Sequence, residues 1–158
     1  MSVLVVAFAP QGSAPPIRPS PISMTIAAGK ETVTTGAAIV VKIKLTNITD
    51  HDVTISYRGP YQTFELIVLD AKGGFVSDTE FSEQMRHKGS FDISGMNIVT
   101  TLKPDQSWDG ASITPTELRV MTHPGKYSIQ VTGDLGRFVI GNAVGIVKSN
   151  KIVVAVTE

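Results

Sequence analysis

The sequence predicts an all-β domain: an immunoglobulin-like antiparallel β-sandwich with one short helix between its middle strands. Three observations predict it. Apolar and polar residues alternate with a period of two in a series of short runs. Turn residues such as Gly29-Lys30, Gly59-Pro60, Lys72-Gly73-Gly74 and Pro124-Gly125 separate those runs. No long stretch carries a helical period, and seven or more short strands of this kind fit a sandwich, with a barrel as the alternative.

The elements follow in order. Residues 1–21 read as a leader. Val3 to Ala9 (VLVVAFA) is apolar, and Ala7-Phe8-Ala9 fits a small-x-small cleavage pattern, although no Lys or Arg precedes it. This run reads either as a signal peptide shortened by a misplaced start codon or as an edge strand or loose leader. It is too short to span a membrane. Five prolines between Pro10 and Pro21 make an extended linker, because proline fixes φ and removes backbone donors. The folded domain is expected over 22–158. Export to the outside of the cell or its envelope is the expectation, and a cytoplasmic location the alternative.

Ile22, Met24 and Ile26 alternate in the first strand. Thr34 to Gly36 then turns the chain into a strand in which Val41, Ile43 and Leu45 face one way while Lys42, Lys44 and Thr46 face water. Asn47 to Asp52 is a turn, with Asn47 as its cap although Asn47-Ile48-Thr49 also matches an N-glycosylation acceptor. Val53 to Tyr57 is the next strand, and Thr63 to Asp70, apolar almost throughout, is a strand deep in the sandwich. Ser77 and Glu80 have capping-box spacing, and Phe81 and Met85 lie four apart, so a helix is expected over 78–87. An irregular loop follows through Lys88 to Gly95. Strands resume at Asn97 to Leu102, after the Pro104 turn, at Lys126 to Gly133, and at Ser149 to Glu158. Tyr127 sits where sandwich domains often place a corner tyrosine whose hydroxyl ties down a loop.

The order of motifs carries a resemblance. The chain has Leu45-Thr46-Asn47, then Val53 to Tyr57, then Phe64-x-Leu66-x-Val68-x-Asp70-x-x-Gly73, then Leu102-x-Pro104-x-x-Ser107-Trp108, then Pro124 to Val131 and finally Val147 to Val156. This pattern resembles bacterial immunoglobulin-like β-sandwich domains of exported proteins. It also resembles, more distantly, the intracellular proteinase inhibitor family. The resemblance covers about 110 residues from Ala38 onward and implies a non-enzymatic binding or structural module of a bacterial cell envelope. The alternative it implies is a proteinase inhibitor using a sandwich-end loop, with Phe75–Asn97 and Gly133–Asn150 as candidate loops. No inhibitory residue carries over, because no reactive-loop motif is matched.

Composition excludes several chemistries. The absence of cysteine excludes a thiol nucleophile, a thiolate metal site and a disulfide framework. Fourteen basic residues balance fourteen acidic ones, so no excess charge attracts nucleic acid. No Gly-x-Ser-x-Gly elbow occurs, and His51, His87 and His123 each sit beside a turn without a partner motif, so no catalytic residue is assigned. No His-x-His or His-x-x-x-His offers a metal site, and no cofactor motif is present. Asp50, Asp52, Asp105 and Asp109 read as turn residues, with calcium between sandwich turns as the alternative.

Four residues are candidates for binding: Trp108, Arg137, Phe138 and Ile140. Gly133 to Asn150 is long for a strand connection and strongly apolar. One reading makes it a loop that presents Arg137, Phe138 and Ile140 to a protein partner. The other, favoured because so much exposed apolar surface is unusual, makes it an extra hairpin turning at Gly141-Asn142 that plugs the sandwich end. Trp108 reads as a carbohydrate-stacking platform or, with no second aromatic aligned to it in sequence, as a packed residue.

Overall fold

The computed structural model describes residues 19–87 and 97–158. The proposed leader lies almost wholly outside them, and the loop expected through Lys88–Gly95 lies outside them entirely. The described chain is an all-β sandwich. One sheet orders β1 (Ile22–Ala28), β3 (Val41–Asn47) and β7 (Ser107–Ile113). The facing sheet orders β2 (Thr32–Thr34), β10 (Ile152–Thr157), β8 (Gly125–Asp134) and β5 (Phe64–Leu69), with β9 (Ile146–Lys148) also on β8. A third, two-stranded sheet pairs β4 (Val53–Tyr57) with β6 (Ile98–Leu102).

Alternation decides which side chains fill the space between the sheets. Val41, Ile43 and Leu45 on β3, Leu66 and Val68 on β5, Ile129 and Val131 on β8 and Val154 and Val156 on β10 are all buried in one cluster. Each such side chain taken from water contributes about 1.5–3 kcal/mol. Lys42 and Lys44 stand on the other face, exposed.

β3 and β4 together face β7 and β6, so one antiparallel ladder runs from Val41 to Tyr57 against Ile98 to Ile113. Loops of unequal length interrupt it: residues 48–52 on one side and 103–106 on the other. Asn47 sits at this break, fully buried. Its amide nitrogen donates to the carbonyls of His51 (2.7 Å) and Leu102 (2.9 Å), and its side-chain oxygen accepts from the Thr49 amide (2.9 Å) and hydroxyl (2.7 Å). The turn-cap reading of Asn47 is what the structure shows.

β9 and β10 are likewise one strand along β8, bulged at Ser149–Lys151. The bulge turns Asn150 toward β1, where its side chain accepts from the Ile26 amide (2.8 Å) and donates to the Ile26 carbonyl (3.1 Å). A side chain thus imitates a strand and fastens one sheet to the other.

Tyr127 is the corner residue the sequence suggests. Its buried hydroxyl donates to the His123 carbonyl at 2.8 Å, closing the turn ahead of β8. Replacing Tyr127 by Phe keeps the ring and removes that bond, so unfolding by urea is expected to show a loss of about 1 kcal/mol. An unchanged midpoint would mean that the hydroxyl holds nothing.

The helical content differs from expectation. Among the described residues the one regular helix is α2 (Glu80–His87), joined by three single turns: α1 (Pro60–Thr63), α3 (Pro115–Leu118) and α4 (Leu135–Phe138). The cap of α2 is Thr79, whose hydroxyl accepts from the Ser82 amide at 3.1 Å, and not Ser77. Ser77 instead gives its carbonyl to the Val120 amide, so the chain is still extended there. The parallel pair β2–β10 is a second departure from an antiparallel plan. Among the described residues no helix is long and apolar enough to cross a membrane.

Candidate binding groove

α2 packs beside the edge strand β5 and leaves an open groove of about 620 Å³. Glu65 and Ile67 of β5, Thr132 and Asp134 of β8 and Ile146 of β9 line it from the sheet, with Pro60 to Thr63 from α1, Met85 and Arg86 from α2, and Arg137 from α4. A smaller recess of about 370 Å³, lined by Arg58, Gln62, Thr63, Gly136 and Arg137, adjoins it. The groove therefore lies between the two segments that the sequence offers as candidate loops. Its lining holds Arg86, Arg119 and Arg137 against Glu65 and Asp134, and Arg58 adds a further cation in the recess.

A charge cluster positions the α2 wall. Asp78 accepts from the guanidinium of Arg86 at 2.6 Å, from the Ser82 hydroxyl at 3.0 Å and from Arg119. Arg119 also donates to the carbonyls of Leu118 (3.0 Å) and Leu66 (2.9 Å), tying the helix region to the outer edge of β5. Burial pushes the Asp78 carboxyl up, but the hydrogen bonds from Arg86 and Ser82 and the charges of Arg119 and Arg86 outweigh it and hold it below its usual range. On the α1 side, the Tyr61 hydroxyl donates to Glu117 at 2.8 Å, and its ring meets Phe81 edge-on at 6.4 Å. Burial, then the bond to Glu117, pushes that phenol up to about 12, so it stays a donor.

Of the four candidates named from sequence, Arg137 lies in this groove, exposed, with its Nε 3.6 Å from the Asp134 carboxylate. Ile140 is 56% exposed and lies outside the lining, its amide bonded to the Thr54 carbonyl at 2.8 Å. Phe138 requires correction as a surface residue: it is 2% exposed. α4 winds the chain so that Leu135 and Phe138 turn inward, and Val139 then bridges to Ile55. The end of this connection, β9, returns antiparallel onto the end of β8, Val139 and Ile140 lie along β4, and Leu135, Phe138, Val139 and Val147 are buried, as the plugging reading expects.

Trp108 and Phe138 belong to one aromatic file. Trp108 meets Tyr57 at 4.9 Å, Tyr57 meets Phe64 at 6.3 Å, and Phe64 meets Phe138 at 5.8 Å. The file runs from a strand of one sheet to the connection leaving the other, and tilted contacts of this kind add to the area each ring buries. Trp108 is half-buried and packed against the core. Its indole lies over Gly110, where an added Cβ would come within 2.6 Å of the ring, and at Gly133 a Cβ would come within 2.9 Å of Phe138. Gly110→Ala is therefore expected to displace the ring, shift the emission of the only tryptophan and cost about 1–3 kcal/mol. Unchanged fluorescence would remove Trp108 from this packed position.

His51 reaches only the Asp50 carboxylate, at 3.0 Å on an exposed turn, and no described histidine lines the groove. Asp105 takes the left-handed conformation (φ 61°), so its place is set by the turn before β7. The residues that sequence reasoning missed are Arg86, Arg119 and Asp78. A partial signal existed: Asp78, Ser82 and Arg86 follow at intervals of four, the spacing of one helical face. Nothing local indicates Arg119, which arrives from a distant segment.

No family model matches the chain, and no curated protein matches it. Among solved structures the chain is similar to the CARDB domain of a Pyrococcus furiosus protein, solved in complex with di-metal ions. Identity is 14%, the match covers 86% of this chain and 87% of that one, and the TM-score is 0.43.

Proposed function

We propose that this domain is a non-enzymatic binding module of an exported bacterial envelope protein, and that it takes an extended acidic segment of a protein partner in the groove beside α2. The observation that carries this reading is the composition of the groove. Arginines stand on both of its sides, on α2 and after β8, while Ile67, Met85 and Ile146 offer apolar contact between them. Guanidinium groups pair with carboxylates in bidentate fashion, and recognition of acidic motifs by arginine clusters is a recurring mode. Arg86 and Arg137 are more than half exposed, so each can reach a ligand from its existing pair with Asp78 or Asp134. Export is supported by the apolar run Val3–Ala9 and the proline-rich stretch after it.

Fluorescence anisotropy with a labelled peptide of alternating Glu and Leu tests the binding reading. The double change Arg86→Glu with Arg137→Glu is expected to weaken binding roughly a hundredfold, as two lost charge-assisted contacts imply. Lys42→Glu, on the outer face of β3, should leave it unchanged. Equal binding by all three proteins, or none by the wild type, contradicts the proposal. Fractionation of cells making the full-length gene product tests export, and a cytoplasmic location contradicts it.

A further inference from the structure

We propose that the free edge of β6 is a dimerisation strand, pairing antiparallel with β6 of a second copy of this chain about a two-fold axis at Thr100. An open strand edge presents unpaired amides and carbonyls, and folded proteins usually guard it with charge, brevity or cover. Several other sandwich edges among the described residues are guarded. Val76 and Arg119 donate to the carbonyls of Val68 and Leu66 along β5. Asn150 occupies the edge of β1 at Ile26, β7 carries Asp109, and β2 is three residues long between Glu31 and Thr35.

β6 has none of these devices among the described residues. It pairs only with β4. Its sequence, Ile98-Val99-Thr100-Thr101-Leu102, is uncharged and rich in β-branched residues, and Val99 is 55% exposed. The Leu102 carbonyl is bonded to Asn47, on the β3–β4 side. Backbone groups alternate in direction along a strand, so those of Val99 and Thr101 point to the free edge.

This phase fixes the register that a second copy would take. A two-fold axis at Thr100 sets Val99 opposite Thr101 of the other copy, and those are the residues with free backbone groups. The same register sets Lys103 opposite Asn97, so no like charges meet. A symmetric interface is self-complementary in this way, and strand addition is an established mode of association.

Sedimentation of the full 158-residue chain over a wide concentration range is expected to show a reversible dimer. Val99→Lys, a charge placed on the edge strand, should weaken it at least roughly tenfold. Thr101→Pro removes a donor that the monomer does not use, and should weaken it likewise while leaving the circular dichroism spectrum unchanged. Should that variant fail to fold, hydrogen exchange decides: the Val99 and Thr101 amides are expected to gain protection as concentration rises. A monomer at every concentration overturns the proposal. So does a dimer that both variants leave intact, or one in which those two amides stay unprotected.

Discussion

Replacing Asn47 by alanine is expected to destabilise the domain by about 2–4 kcal/mol, the cost of leaving the buried Leu102 carbonyl without a donor and the Thr49 amide and hydroxyl without their acceptor. The side chain is 0% exposed and makes four hydrogen bonds, two as donor and two as acceptor. Its own amide donates to the Gln106 carbonyl at 3.0 Å and its carbonyl accepts from the Asp105 amide at 3.1 Å, so the residue joins both sides of the interrupted ladder. Alanine keeps the backbone bonds and loses the rest, stranding the Leu102 carbonyl in the interior. Asn47→Asp is the sharper comparison. It keeps the acceptor toward Thr49 but sets a carboxylate against the His51 and Leu102 carbonyls. Burial and those dipoles raise the pKa of such a group, so its deficit should be largest near neutral pH and shrink as pH falls through the raised value. A urea midpoint for Asn47→Ala within error of the wild type would show that the turn closes without its cap.

The second large effect is at Arg119. Arg119→Ala is expected to cost about 2–3 kcal/mol, somewhat under the usual figure for breaking a buried ion pair because Arg119 and Asp78 retain some exposure. The loss has two parts: Asp78 keeps Arg86 but loses its more buried cation, and the Leu66 carbonyl loses its donor. For a chain of this length the melting temperature should fall by roughly 4–12 °C. The same cluster gives a pH dependence. The folded-state pKa of Asp78 lies below its ordinary value, so its contribution is present above the ordinary carboxylate range. It is lost as pH falls through the depressed folded value. Asp78→Asn should therefore narrow the difference in stability between neutral and strongly acid solution. Equal acid sensitivity in variant and wild type would detach Asp78 from the stability of the α2 wall.

The sandwich was legible because its strands are regular and half-exposed. Val41, Ile43 and Leu45 against Lys42, Lys44 and Thr46 leave one arrangement that puts all three apolar chains inside and the lysines in water. Tyr127 and Asn47 were legible because each acts within a few residues of its own position, on His123 and on Thr49 and His51. β2 was not, since three residues show no period and its partners Ala155 to Thr157 lie far along the chain. Phe138 is a binding candidate in one sequence reading and part of the plug in the other, and α4, a single turn that changes the side-chain period within the connection, makes it part of the plug. A signal was present in Asp134, whose carboxylate accepts from the Gly136 amide and caps that turn. The groove was legible only in part. Arg137 was found by its apolar neighbourhood, whereas Arg119 owes its position to a strand bridge between Asp78 and Arg119, and no local pattern encodes such a contact.

The most direct test of the central claim, that the groove beside α2 is the binding surface, is to map amide chemical-shift changes as the Glu–Leu peptide is added to the isotopically labelled protein. The account predicts changes concentrated at Thr63 to Ile67, at Ser82 to Arg86, and from Thr132 to Ile146. Changes centred on Trp108 and the turns around Asp105 and His123, with the groove amides silent, would contradict it.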